Sequence, residues 1–175
     1  LGAAAIAGAA VVGLNPTRRG AELARDISHS DCQFLITEDR HLEDLAGLEL
    51  SVNPAKQLNI NTVQWRAALK SQAGKPLPEI AIDLSKAYLL IFTSGTTGNP
   101  KAALCSQARL GGIAQAFNCM NGIDSSYVAY ASMPLFHSNA LMANWAPMLA
   151  AGAKVVLRRK FSASGFLPDI RKYRC

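Results

Sequence analysis

The chain has 175 residues, half of them apolar and 17% charged, with a net charge of +6. That length supports a sizeable core, and the composition excludes a disordered chain. The charge is uneven: residues 1–83 hold ten acids and eight bases, whereas residues 84–168 hold one acid, Asp124, against seven bases. A long segment nearly free of carboxylates suits an anionic ligand, because no fixed negative charge repels it. The bases are scattered singly apart from Arg158–Lys160 and have no aromatic ladder, so a small phosphorylated ligand fits better than nucleic acid.

In chain order, "LGAAAIAGAAVVGL" opens with fourteen small or apolar residues. This is short of the roughly 20 needed to cross a bilayer and lacks the basic leader of a secretion signal. It reads as a buried alanine-rich helix running into a strand at 10–15. Residues 17–30 read as a helix capped by Thr17, with Leu23 and Ile27 on one face. "CQFLIT" (32–37) reads as a second strand and "RHLEDLAGL" as a short helix. Residues 49–86, with Pro54, Pro76 and Pro78, read as a long surface connection holding one short helix around "NTVQWRAAL".

"KAYLLIF" (86–92) returns to a buried strand. A glycine-rich loop follows, then a helix over 106–122 with Ser106 as cap and Gly122 as stop. The pair Gly111–Gly112 weakens that helix and suggests close packing against a neighbour. A strand at 127–133, a helix at 139–152, a strand at 153–159 and a helix from 162 complete the pattern. The fold class is α/β, a largely parallel sheet with covering helices. Trp65 and Trp145 read as core. Cys32, Cys105, Cys119 and Cys175 show no metal spacing, and are expected as reduced, mostly buried thiols of a cytoplasmic protein. Leu1 in place of methionine, and a helix-like stretch running up to Cys175, give the expectation of a piece of a longer protein.

The chemistry concentrates at Thr93-Ser94-Gly95-Thr96-Thr97-Gly98-Asn99-Pro100-Lys101. Gly95 and Gly98 permit positive φ and close backbone approach, so successive N–H groups can converge on one cluster of oxygens. The four hydroxyls add donors without bulk, and Lys101 adds a mobile positive charge. The spacing is not that of a P-loop of the G-x-x-x-x-G-K-[ST] type. A plain Gly/Ser/Thr surface turn is the competing reading.

"FTSGTTGNPKAA" resembles the glycine-rich loop of the adenylate-forming superfamily, which includes acyl-CoA synthetases, luciferases and peptide-synthetase adenylation domains. Ala102 stands where most relatives carry glycine. That feature, with "MPLFHSNA" (133–140), "AGAKVVLRRKFSASGF" (151–166) and residues 8–38, is similar to the fatty-acid-transport-protein and very-long-chain acyl-CoA synthetase branch. The resemblance implies that residues 1–175 are an incomplete part of the large N-terminal AMP-binding domain of an ATP-dependent fatty acyl-CoA ligase, with the C-terminal domain outside them. It implies that Thr93, Ser94, Gly95, Thr96, Thr97, Gly98 and Lys101 hold the phosphates of ATP. It also implies that His137 is a wall or gate of the acyl and adenylate pocket. A lone His beside Phe136 is equally a packed residue.

ATP, Mg²⁺ and CoA are the implied cofactors and co-substrates, with fatty acid as the substrate and no nucleic acid. The single carboxylate in 84–168 puts the Mg²⁺ ligands elsewhere. The later adenine, ribose and catalytic-lysine motifs do not occur in these residues, so the 175 residues alone are expected to be inactive. Exposed sheet edges are expected to promote association. Arg158–Lys160 read as a solvated strand end, with attraction of CoA or peripheral contact with an anionic membrane left open. A non-catalytic nucleotide-binding or regulatory piece is the rival reading, and a basic nucleic-acid-binding domain a more distant one.

Overall fold

The computed structural model describes residues 1–77, 79–93 and 101–175, with the backbone alone at Thr93 and Lys101. In chain order the elements are α1 (Gly2–Ile6), β1 (Val11–Gly13), α2 (Gly20–His29), β2 (Leu35–Thr37), a 3₁₀ turn at Asp39–His41 and α3 (Leu42–Leu45). A second 3₁₀ turn (Pro54–Lys56), β3 (Gln57–Asn59), α4 (Val63–Gln72), β4 (Ala87–Thr93), β5 (Lys101–Ser106) and α5 (Gln107–Asn121) follow. The last elements are β6 (Val128–Ala131), α6 (Ser138–Ala140), a π-helical turn at Leu141–Trp145, α7 (Ala146–Ala151), β7 (Lys154–Leu157) and α8 (Ala163–Tyr173). Three of the four described ladders are parallel, β1–β4, β2–β3 and β6–β7, and β4–β5 is antiparallel.

The chain divides into two compact units, residues 14–80 and residues 1–13 with 81–175. In the first, Leu23 and Ile27 of α2 meet Leu35 of β2 and Val52 in one buried cluster, as the i,i+4 spacing requires. Arg18 Nε lies 3.4 Å from the buried carboxylate of Asp26, and Arg18 also pairs with Glu22. Thr17 is not the cap of α2. Its N–H and hydroxyl both donate to Asn15 Oδ1, at 3.0 and 2.9 Å, which folds the chain into an Asx turn before the helix starts. Thr62 does cap α4, accepting from Trp65 N–H at 3.1 Å.

The second unit places β4 between β1 and β5. Tyr88, Leu89 and Ile91 of β4 are buried with Cys105 of β5, Leu110 and Ala114 of α5, Leu141 and Ala146. Residues on both faces of β4 are covered, the usual condition of an interior strand with a parallel neighbour. Ser106 caps α5 by accepting from Arg109 N–H at 3.2 Å, and Gly122 ends it in the left-handed region at φ +62.

Several expectations are corrected here. The opening helix has no buried residue; only its flank, through Leu1, Ala4 and Ala5, packs on the core. Strand β3 lies inside the stretch read as connection. Gly111 and Gly112 face open space, since a Cβ at either meets nothing within 4 Å. The helix expected over 139–152 is broken by the π turn just ahead of Pro147, which lacks the N–H that a regular helix would use. Trp65 and Trp145 are half-buried. Two thiols, Cys119 and Cys175, are exposed, Cys32 is half-buried and Cys105 buried. No helix among the described residues is long and apolar enough to cross a membrane.

Candidate functional site

The strand that leads into the polar loop is the best-buried strand of its unit. Across the antiparallel ladder Leu90 stands opposite Leu104, Ile91 opposite Ala103, Phe92 opposite Ala102 and Thr93 opposite Lys101. The two residues that bound the loop in sequence are therefore brought face to face. Ser94, Gly95, Thr96, Thr97 and Gly98, with Asn99 and Pro100, lie outside the described residues. The chain after the loop does not enter a helix at once, as the sequence suggested. It runs back along β4 as β5, and α5 begins only at Gln107.

On the other side of β4, Gly13 of β1 pairs with Ile91. Here the segment "PLFHSN" arrives. A Cβ at Gly13 would stand 2.7 Å from Phe136 Cβ and 2.9 Å from Phe136 Cα, so the absent side chain is what admits Phe136. His137 is exposed; its ring centroid lies 4.1 Å from that of Phe136, tilted by 38°. Its N–H donates to the Pro134 carbonyl at 3.1 Å, and its own carbonyl accepts from Leu141 N–H at 3.3 Å. A small apolar cavity of about 30 Å³ lies beside it, with Gly13, Ile91, Leu135, Phe136 and Leu141 in its wall. That is room for about one water molecule and not for an acyl chain. Met133 is 44% exposed and lies outside this wall.

The lone carboxylate of residues 84–168 is spent on a turn. Asp124 Oδ1 accepts from Ser126 Oγ at 2.6 Å and from Ser126 N–H at 2.8 Å, and these bonds hold its carboxyl below the usual range. Among the described residues no group of three or more His, Cys, Asp or Glu could hold a metal ion. The donor set needed for magnesium is therefore not supplied by the described residues.

Arg158 is tied rather than solvated. Its Nε lies 3.1 Å from Asp169 Oδ2, and Tyr130 OH donates to the same oxygen at 3.1 Å. Burial first, then the hydrogen bond and charge of Asp169, push the Tyr130 phenol up. This clamp joins β6, the end of β7 and α8. Sequence reading treated Tyr130 as packing and gave Asp169 no role, because nothing local links the two. Gly13 also escaped notice; its one local signal is a glycine at the end of an apolar strand.

Comparison with known proteins bears on the whole stretch. The model of the family described as AMP-binding enzyme matches residues 1–175. The chain is 51% identical over 172 residues to a steroid-22-oyl-CoA synthetase of Rhodococcus jostii (strain RHA1), covering 98% of this chain and 31% of that protein. It is 39% identical over 173 residues to the medium/long-chain-fatty-acid–CoA ligase FadD17 of Mycobacterium marinum (strain ATCC BAA-535 / M), covering 99% of this chain and 33% of that one. The inhibitor-bound N-terminal domain of FACL13 from Mycobacterium tuberculosis superposes with a TM-score of 0.82 at 19% identity, over 98% of this chain and 43% of that one. At that identity the likeness is one of fold. The chain thus spans about a third of the length of these curated relatives.

Proposed function

The chain belongs to the AMP-binding enzyme family, and from that membership we propose that it is the phosphate-gripping part of an ATP-dependent acyl-CoA ligase. The observation that carries the reading is the loop Thr93–Lys101 mounted at the end of β4, the buried middle strand of its sheet, within a chain that matches the family from end to end. In the proposed reaction a carboxylate oxygen attacks the α-phosphorus of ATP. The bond from that phosphorus to the bridging oxygen breaks, and pyrophosphate leaves. The thiolate of CoA then attacks the acyl carbonyl, and AMP leaves with its electron pair.

Ser94, Thr96, Thr97 and the loop N–H groups would donate to the β- and γ-phosphates, with Gly95 and Gly98 keeping bulk away. Lys101 would offset the charge that grows on the leaving pyrophosphate, a case of electrostatic stabilisation by donors fixed in advance. Thr93 would orient the loop from the strand end. His137, exposed beside Phe136, would form a wall or gate on the acyl side and not a general base. Mg²⁺, if used, would be held by residues beyond those described, so no step is assigned to it.

The substrate class proposed is an apolar carboxylic acid. Two relatives support this, one named for a steroid-22-oyl product and one for medium and long fatty acids. A cytoplasmic, peripheral location fits such a substrate. The test uses the full-length protein with ATP, CoA and either a steroid side-chain acid or a fatty acid. Acyl-CoA and AMP should form with one of them, and Lys101→Ala should slow acid-dependent ATP–pyrophosphate exchange by roughly 10²-fold, the size typical of removing one such donor. Unchanged exchange in that variant would remove Lys101 from the mechanism. The 175 residues alone, about a third of the relatives' length, are expected to make no acyl-CoA.

A further inference from the structure

We infer that Gly13 is a positioning residue for the acyl side of the site: its missing side chain lets the Phe136–His137 segment seat against the end of β1, next to the strand that leads into the phosphate loop. This rests on the ligase reading above. Among the described glycines, Gly13 is the one whose Cβ would come within 3.0 Å of another residue; the next tightest, Gly165, meets Ser162 Oγ at 3.2 Å. The atoms it would strike are Phe136 Cβ at 2.7 Å and Phe136 Cα at 2.9 Å, which cannot swing aside as the tip of a long side chain could. A side chain at position 13 therefore moves either β1 or the segment.

The two partners are not equally stiff. β1 is held by three parallel pairs to β4, from Val11–Leu89 to Gly13–Ile91, and β4 is held on its far side by β5. The Phe136–His137 segment lies between β6 and the short α6, outside any ladder. Its described backbone bonds are local, His137 N–H to Pro134 carbonyl and Leu141 N–H to His137 carbonyl. The displacement falls on the segment. Restoring ordinary contact of 3.4 Å or more from 2.7 Å moves Phe136 by most of an ångström. His137 moves with it, since its ring stacks on Phe136 at 4.1 Å. Misplacement of about 1 Å near a reacting centre can cost on the order of 10²-fold in rate.

The experiment is a kinetic comparison of Gly13→Ala with Gly112→Ala in the full-length protein. Gly112 lies on α5 with nothing within 4 Å of a built Cβ, so its substitution controls for adding a methyl group. Gly13→Ala should lower kcat/KM for the acid by roughly 10- to 10²-fold while KM for ATP stays within about twofold, and Gly112→Ala should change neither. A second arm places Gly13→Ala in a Phe136→Gly background. With the Phe136 Cβ gone, the further loss caused by Gly13→Ala should shrink markedly, the non-additivity expected of residues in contact.

Gly13→Ala kinetics equal to those of Gly112→Ala would overturn the inference. So would equal losses toward acid and ATP, which would mean that the sheet and not the segment had moved. If Gly13→Ala fails to fold alone, folding of the double variant supports the contact and its failure overturns it. Absence of acyl-CoA formation by the unmutated protein is a distinct result: it sinks the ligase reading, and this inference with it.

Discussion

Replacing Leu89 by alanine tests whether β4 is the packed mount that the loop requires. Leu89 is 2% exposed, stands between Val11 and Cys105 in the two ladders, and borders the small cavity beside Gly13. Losing three carbons forfeits about 2.4 kcal/mol of burial at ~0.8 kcal/mol per methylene. The new void opens onto a cavity of about 30 Å³ that is already present, so collapse around it is hindered. At ~24 cal/mol per Å³ even that volume adds ~0.7 kcal/mol, and the expected loss is about 3 kcal/mol. Leu104, on β5 one pair away, is 62% exposed, and its truncation should stay within about 0.5 kcal/mol. Urea unfolding of the 175-residue chain, followed by circular dichroism, gives both values from shifts in midpoint at constant slope. A loss below ~1 kcal/mol for Leu89→Ala, or equal losses at the two positions, would refute the placement of β4 in the core.

Two further outcomes follow from the same unit. Ser106→Ala removes the oxygen that accepts from Arg109 N–H at 3.2 Å, and should cost about 1 kcal/mol in the same unfolding assay; no loss would mean that α5 starts elsewhere. Tyr88 is buried, its hydroxyl donates to the Leu1 carbonyl at 3.0 Å, and burial raises its phenol pKa. A raised folded value means that its contribution is fully present below the unfolded pKa of about 10 and is lost as pH climbs through the folded one. Tyr88→Phe should therefore remove the latest-rising component of the phenolate absorbance titration. A titration curve of unchanged shape would place Tyr88 outside the core.

Local chemistry made part of this molecule readable. Ser106 and Gly122 bracket α5 because a cap needs only its own neighbours, and Leu23 with Ile27 marked the inner face of α2 because a helix repeats every few residues. The misses share a different cause. "QLN" becomes β3 only by pairing with Leu35–Thr37, and "KAALCS" becomes β5 only by lying along β4. Neither stretch favours strand strongly, and partners far along the chain decide the outcome. At the site, the small donors, the glycines and Lys101 announced themselves by composition. The fit of Phe136 onto Gly13 and the Tyr130–Asp169–Arg158 clamp could not be read that way, since each joins residues that no period or motif connects.

The course of the chain after the loop also decides which force can hold phosphate there. Had Lys101 opened a helix, the partial positive charge at the helix N-terminus would compete with the loop as the source of attraction. Instead β5 carries the chain away for six residues before α5 begins at Gln107. At about 3.4 Å per residue that run spans roughly 20 Å. The helix-end effect fades within the first turn and is screened beyond about 10 Å at ordinary salt. The dipole of α5 is thus too remote to matter. Any grip on an anion at Thr93–Lys101 must come from the loop's own amides and hydroxyls and from the Lys101 charge, which is why a single substitution at Lys101 is expected to be felt so strongly in pyrophosphate exchange.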